Sequence, residues 1–303
     1  MNALQNIFLH VGYPKCASTF FQKKVFSVHP DLTYIGPENK AFHRLFLLRR
    51  ESLYDPDAVK GLFQPHKKIG VISMELLVGD PFFSDFDGDF YARRLYETFP
   101  SADVIIIIRN QLEAIESLFM QWIKTAWGGK FGPNDFFKTS KLNFEKTGFN
   151  LSYFEYSKTI RYYQKLFGKD RVHIFLFEDF RKDVDGVVAA ITGLMGIGPP
   201  DDLDKTPLRT RMTPFGYMFM RFLNRYRQGR FNPYGGLGDH ISWLFIMRVR
   251  NVLDSIFKIL FPAYKRAWLK PKNRKLIEDH YRQENQELSE LIGIDLYQYH
   301  YPV

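Results

Sequence analysis

Val104-Ile105-Ile106-Ile107-Ile108 is the segment that most limits how this chain can fold. Consecutive β-branched residues favour extended backbone, because a branched Cβ restricts χ1 and packs well on a pleated surface. Without polar residues at alternate positions, neither face of this strand can meet water. It therefore belongs in a parallel sheet covered on both sides. Runs at Ile7–Val11, Thr33–Ile35, Ile69–Met74 and Val172–Phe177 read as further strands. Between them the pattern predicts helices over Phe20–Ser27, Ala92–Phe99, Gln111–Thr125 and Phe154–Phe167. Strands alternating with helices predict a doubly wound α/β sheet flanked by helices.

The last third changes character. Lys205 to Gly238 holds seven basic residues and no acidic one, with a Pro- and Gly-rich loop over Phe231–Gly238. Helices are predicted over Ile241–Leu260, ended by Pro262, and over Pro271–Leu291. In the first of these, Arg250, Asp254 and Lys258 form one narrow polar stripe, with Arg248 off it. A stripe so narrow and weakly basic predicts a core or dimer helix ahead of a membrane anchor. The expectation is a single domain over 1–303, with a core at about 5–200 and a helical, basic section at about 201–303.

Composition narrows the function classes. At 45% hydrophobic and 25% charged residues, disorder and collagen-like architecture are excluded. One cysteine, Cys16, excludes a disulfide framework and a multi-cysteine zinc site. A net charge of +9 favours anionic partners. The first residues lack a basic n-region, and no uncharged apolar stretch is long enough to span a bilayer, so a cytoplasmic protein is expected.

Chemistry first appears after the opening strand, in Gly12-Tyr13-Pro14-Lys15-Cys16-Ala17-Ser18-Thr19. A strand, a tight loop with glycine and hydroxyl residues, and then a helix start form a phosphate-holding arrangement: loop amides and the helix terminus converge on the anion. Read without function, the same residues are a strand-to-helix turn with Ser18 or Thr19 as N-cap. Lys15 follows Gly12 by three residues and no Gly-Lys pair occurs, so the loop is not a Walker motif.

Pro14-Lys15-Cys16-Ala17-Ser18-Thr19 resembles the 5′-phosphosulfate loop of sulfotransferases that use 3′-phosphoadenosine 5′-phosphosulfate (PAPS). The departure is Ala17, where glycine is commonest in that family. The family's second signature is an arginine after a later buried strand and a serine eight positions on, together holding the 3′-phosphate. Arg109 and Ser117 match it. Arg109 also stands at the C-terminal edge of its strand, where ligands bind in open α/β sheets. The resemblance implies a P-loop NTPase-like sheet, PAPS as donor, and binding through Lys15, Cys16, Ala17, Ser18, Thr19, Arg109 and Ser117. A late basic loop in some members implies Lys265 and Arg266 at the 3′-phosphate. Val172–Asp179, ending in Glu-Asp, and the tail from Asn285 to Pro302 resemble the family more softly.

Transfer of a sulfuryl group to a hydroxyl needs charge neutralisation at the leaving oxygen and a base. Lys15 is the candidate for the first, and no metal is expected. For the base, His29-Pro30-Asp31-Leu32 followed by Gly36-Pro37-Glu38 resembles the glycan-modifying, heparan-type branch, which implies Glu38. Glu75, just past the strand Ile69–Met74, competes for the role; the branch has a lysine after that glutamate, and Leu76 stands here instead. His10 reads as a core histidine, and Cys16 has no partner that would make it a nucleophile.

The acceptor implied is a carbohydrate or glycoconjugate hydroxyl, less readily an amine. Arg209, Arg211, Arg221, Arg225, Arg227 and Arg230 could grip an acidic glycan or a glycolipid phosphate, or form a solvated basic face. Peripheral contact with a membrane or a lipid-linked acceptor stays open, and no nucleic-acid partner is expected. The rivals are a nucleotide-dependent kinase, which would need magnesium-dependent ATP binding, and a basic nucleic-acid-binding protein, whose affinity would fall steeply with salt.

Overall fold

The computed structural model describes residues 6–63, 69–81, 87–124, 149–206, 213–224, 226, 243–261 and 271–303. Strand β1 (Asn6–Val11) leads through a loop into α1 (Ser18–Phe20), which continues as a π-helical run over Phe21–Phe26. Strand β2 (Leu32–Ile35) precedes two short helices, α2 (Lys40–Phe42) and α3 (Pro56–Lys60). Strand β3 (Ile69–Met74), α4 (Asp87–Thr98), β4 (Asp103–Ile108) and α5 (Gln111–Lys124) follow. Then come α6 (Tyr156–Phe167), β5 (Val172–Leu176), α7 (Phe177–Lys182) and α8 (Val184–Leu194). The chain closes with α9 (Pro214–Asn224), α10 (Trp243–Leu260) and α11 (Pro271–Ile292).

The five strands form one parallel sheet in the order β2-β3-β1-β4-β5. Val104 to Ile108 are fully buried, as expected for a strand covered on both faces. From β1 the chain moves outward to β2 and β3 on one side, then to β4 and β5 on the other. The order thus reverses between β1 and β4, and the loops at the C-terminal ends of those strands flank the crevice where open α/β sheets bind ligands. Val11 pairs with Met74, so the residues just after β1 and β3 emerge side by side.

Two compact units are present. The first comprises Met1–Gln111, Asn150–Leu208 and His280–Val303 and contains the sheet; the second comprises Leu112–Phe149 and Arg209–Asp279. In the second, Asn224 Nδ2 donates to the Ile123 carbonyl at 2.8 Å, tying α9 to α5. No described helix is long and apolar enough to cross a membrane.

Several element limits differ from the sequence pattern. The first helix begins at Ser18 and not at Phe20, because the loop itself turns into it. Phe177 opens α7 and is not the end of β5. Phe154 belongs to a separate turn, Leu151–Phe154, capped by Asn150. Ile241 and Thr125 lie outside the described residues. The core expectation for the long helix, now α10, is overturned: Arg250 and Asp254 are buried, while Val252, Ile256 and Ile259 face solvent. The cause is Thr213, whose N–H donates to Asp254 Oδ1 at 3.1 Å and whose hydroxyl bonds the same oxygen. A buried carboxylate takes its partners with it, and the apolar residues are left outside.

Candidate functional site

The loop after β1 is tightly specified. A Cβ on Gly12 would lie 2.6 Å from Ser18 Oγ, so a side chain there would push the helix start away. Lys15 and Ala17 hold left-handed backbone, with φ of 73° and 63°. Left-handed residues in such a loop turn neighbouring N–H groups to one side, making a concavity for an anion. For non-glycine residues that conformation costs about 1–2 kcal/mol each. Strain of this kind persists where surrounding contacts over-determine it.

Several contacts hold the loop. Arg109 Nη1 donates to the Lys15 carbonyl at 3.1 Å, so the arginine after β4 braces the loop after β1. Ser18 Oγ donates to the Tyr13 carbonyl at 3.4 Å. The Tyr13 hydroxyl donates to Thr159 Oγ1 at 2.8 Å, and its ring meets Tyr153 and Tyr156 edge-on. The N-cap of α1 is Ala17, without a side-chain cap, so neither Ser18 nor Thr19 serves as one. Lys15, Ala17 and Thr19 are half-buried, whereas Ser18 and Cys16 are buried.

Burial pushes the Cys16 thiol up, so it stays protonated and inert. Its main-chain N–H is then what this residue can offer an anion. The charges of Arg109 and Lys15 oppose the thiol's shift, and those of Glu178 and Glu75 add to it.

Arg109 is itself held. Its guanidinium lies over the Phe177 ring, 4.3 Å from the centroid. Its carbonyl accepts from the Tyr156 hydroxyl at 2.8 Å. Beside it, Glu178 accepts from the Asn110 N–H at 2.9 Å and from the Tyr301 hydroxyl at 3.2 Å. Burial raises Glu178, although hydrogen bonds and Arg109 oppose the shift. Asn110 Nδ2 donates to the His300 carbonyl at 2.6 Å, so the C-terminal tail closes on the end of β4. Glu178 stood out in sequence only as part of a Glu-Asp strand end. Tyr301 stood out only within the tail, and Asn110 carried no signal, because their partners are far away in the chain.

The two candidate bases occupy different places. Glu75 directly follows β3, next to β1 in the sheet, and is half-buried. Glu38 follows β2, is exposed, and is separated from β1 by β3. Its charge acts on Tyr34, whose hydroxyl is raised by burial first and by Glu38 second. The His-Pro-Asp stretch is structural: His29 Nδ1 accepts from the Asp31 N–H at 3.2 Å, and Nε2 bonds the Gly198 carbonyl at 3.1 Å.

His10 is a core histidine lowered to about 4 by burial, with Nδ1 bonded to Ser73 Oγ at 2.6 Å. Gln22 donates to the same Ser73 oxygen at 3.3 Å. Ser117 lies half-buried on α5 in the second unit. Lys265 and Arg266 lie outside the described residues, as do Arg209, Arg211, Arg225, Arg227 and Arg230.

Among the described residues, two clefts stand out. One, of about 500 Å³, is lined by Tyr153, Tyr162, Tyr163, Asp89, Lys158 and Thr159, among others, and touches the loop through Tyr153 and Thr159. The other, of about 560 Å³, is lined by Asp185, Asp201, Asp202 and Asp204 and would repel an anionic donor.

No protein-family model matches the sequence, and no curated protein does. Among solved structures the chain is similar to a sulfotransferase from Alicyclobacillus acidocaldarius, with a TM-score of 0.55 and 16% identity over 97% of this chain and 98% of that one. It is more distantly similar to a mouse sulfotransferase complexed with PAP, at a TM-score of 0.42 and 14% identity over 94% of this chain and 86% of the other. A sulfotransferase domain from the curacin biosynthetic pathway gives 0.41 and 12% over 96% and 98%. At such identities the likeness is one of fold, and it rests on the first of these structures. The chain therefore has a sulfotransferase fold, a P-loop-like α/β sheet flanked by helices.

Proposed function

We propose that this chain is a PAPS-dependent sulfotransferase that moves a sulfuryl group to a hydroxyl, less readily an amine, of a carbohydrate or glycoconjugate. The observation that carries the reading is the hydrogen bond from Arg109 to the Lys15 carbonyl, which joins the two phosphate motifs where the strand order reverses. The cradle fits an anionic donor: left-handed residues at Lys15 and Ala17, no Cβ at Gly12, and two cationic side chains beside the loop.

Bound there, the donor would supply the sulfuryl group for in-line transfer and leave as adenosine 3′,5′-bisphosphate. Lys15 neutralises charge growing on the leaving oxygen, while the amides of Cys16, Ala17, Ser18 and Thr19 hold the 5′-phosphate. Arg109 takes the 3′-phosphate through its planar fork, and the family resemblance implies Ser117, Lys265 and Arg266 as further ligands of that phosphate. Glu38 accepts the hydroxyl proton. A second reading gives that role to Glu75, and its place directly after β3, the strand beside β1, favours it. The tyrosine-lined cleft beside the loop suits the apolar face and hydroxyl rim of a sugar acceptor.

The test is release of adenosine 3′,5′-bisphosphate from PAPS in the presence of acidic and neutral oligosaccharides. Lys15→Ala should abolish release, and a loss of less than about tenfold would contradict its electrostatic role. Glu38→Gln and Glu75→Gln divide the two readings: the variant that keeps nucleotide binding but loses turnover identifies the base.

A further inference from the structure

Thr213, just before α9, meets Asp254 between the two helices, while one apolar side of each helix faces outward. Besides the Thr213 bonds, Arg250 Nε lies 3.8 Å from Asp254 Oδ2, and both side chains are buried. A Cβ on Gly216 would lie 2.2 Å from Asp254 Oδ1, so the glycine permits the close approach of the two helices. Phe215 stacks on Phe257 with an interplanar angle of 12°, joining the outer sides of the pair.

On α9, Met218 and Phe222 are 59% and 57% exposed. On α10, Phe245, Val252, Ile256 and Ile259 recur at helical spacing on one face and are 48–78% exposed. A soluble monomer seldom leaves a contiguous apolar face of this kind in water.

Charge identifies what covers it. Arg209–Asp279 contains fifteen Lys and Arg against four Asp and Glu, whereas the whole chain has a net charge of +9. The remainder is therefore slightly acidic, and the cationic excess is concentrated in the segment that carries the apolar face. The only acidic residue within α9 and α10 is Asp254, which is buried. Arg248, exposed between Phe245 and Val252 on the same face, can extend its charge past the apolar rim. A second copy of this face would set cations against cations. An anionic bilayer offers an apolar interior and negative headgroups together.

We propose that the exposed face of α9 and α10 docks on the surface of an anionic lipid bilayer. Its aliphatic and aromatic side chains enter the headgroup–acyl boundary, and Arg221 and Arg248 meet lipid phosphates. Flotation of the full chain with phosphatidylcholine vesicles, with and without phosphatidylglycerol, tests this. The chain should float with the mixed vesicles, at least about tenfold more weakly with neutral ones, and lose binding as salt rises. Phe222→Glu and Ile256→Glu should each abolish flotation while leaving the thermal midpoint unchanged. If either variant unfolds, Arg248→Glu carries the test and should weaken binding to the mixed vesicles alone. No binding to either vesicle, or variants that float like the parent, would overturn the proposal. So would a dimer in sedimentation equilibrium that Ile256→Glu dissociates, because the face would then belong to a second copy.

Discussion

Ala17 occupies a left-handed position that its Cβ disfavours, at the place where the resembling family most often carries glycine. Ala17→Gly should stabilise the protein by about 1 kcal/mol, since relief of the strained φ outweighs the extra freedom of glycine in the unfolded chain. Thermal unfolding of the two proteins measures this, and a lower midpoint for the glycine variant would contradict the assigned backbone. Arg109 has two duties in this account: bracing the Lys15 carbonyl and holding the 3′-phosphate. Arg109→Ala should therefore weaken adenosine 3′,5′-bisphosphate at least about tenfold more than AMP, as expected for loss of a charge-assisted contact. Equal weakening would leave only the bracing role. Sequence made Lys15 and Arg109 visible, because chain order already sets them at strand ends. It could not show that one arginine N–H is committed to the loop itself.

Among the elements, the strands were legible and several helices were not. Strands covered on both faces leave unbroken apolar runs, so Ile69–Met74 could be read to the residue. Helix α9 escaped notice because it is apolar on both sides, Tyr217 and Met220 buried and Phe215, Met218 and Phe222 exposed, so no amphipathic pattern marks it. The joint where α5 begins also depends on distant contacts. Gln111 Nε2 donates to Asn285 Oδ1 at 2.6 Å, and Glu284 accepts from the Ser157 N–H at 2.6 Å, which caps α6 from α11. Burial pushes Glu284 up to about 7, against the opposing pull of those Ser157 hydrogen bonds. Its folded-state value thus lies above the unfolded one. The native state holds a proton that the unfolded chain has already released, so stability falls as pH rises from about 4.5 to 7. Glu284→Gln should remove that fall, with a gain of about 1–3 kcal/mol at neutral pH and little difference in acid. Parallel melting curves for parent and variant across this range would contradict the assignment.

At the scale of the molecule, the proposed donor cradle is built from the ends of adjacent strands and locked by the C-terminal tail. The lock joins Glu178 to Tyr301, 123 residues apart, and pairing over such a distance leaves no local trace in sequence. The loop, the strand-end arginine and the sheet were therefore foreseeable, while the residues that fix them were not. The central claim is that this cradle selects a nucleotide with phosphates on both the 3′ and 5′ positions. Calorimetric titration with adenosine 3′,5′-bisphosphate, run beside ADP with and without magnesium, tests it most directly. The expected result is tight binding of the bisphosphate, independent of magnesium and well above that of ADP. Preference for magnesium-ADP, or no binding of the bisphosphate, would contradict it.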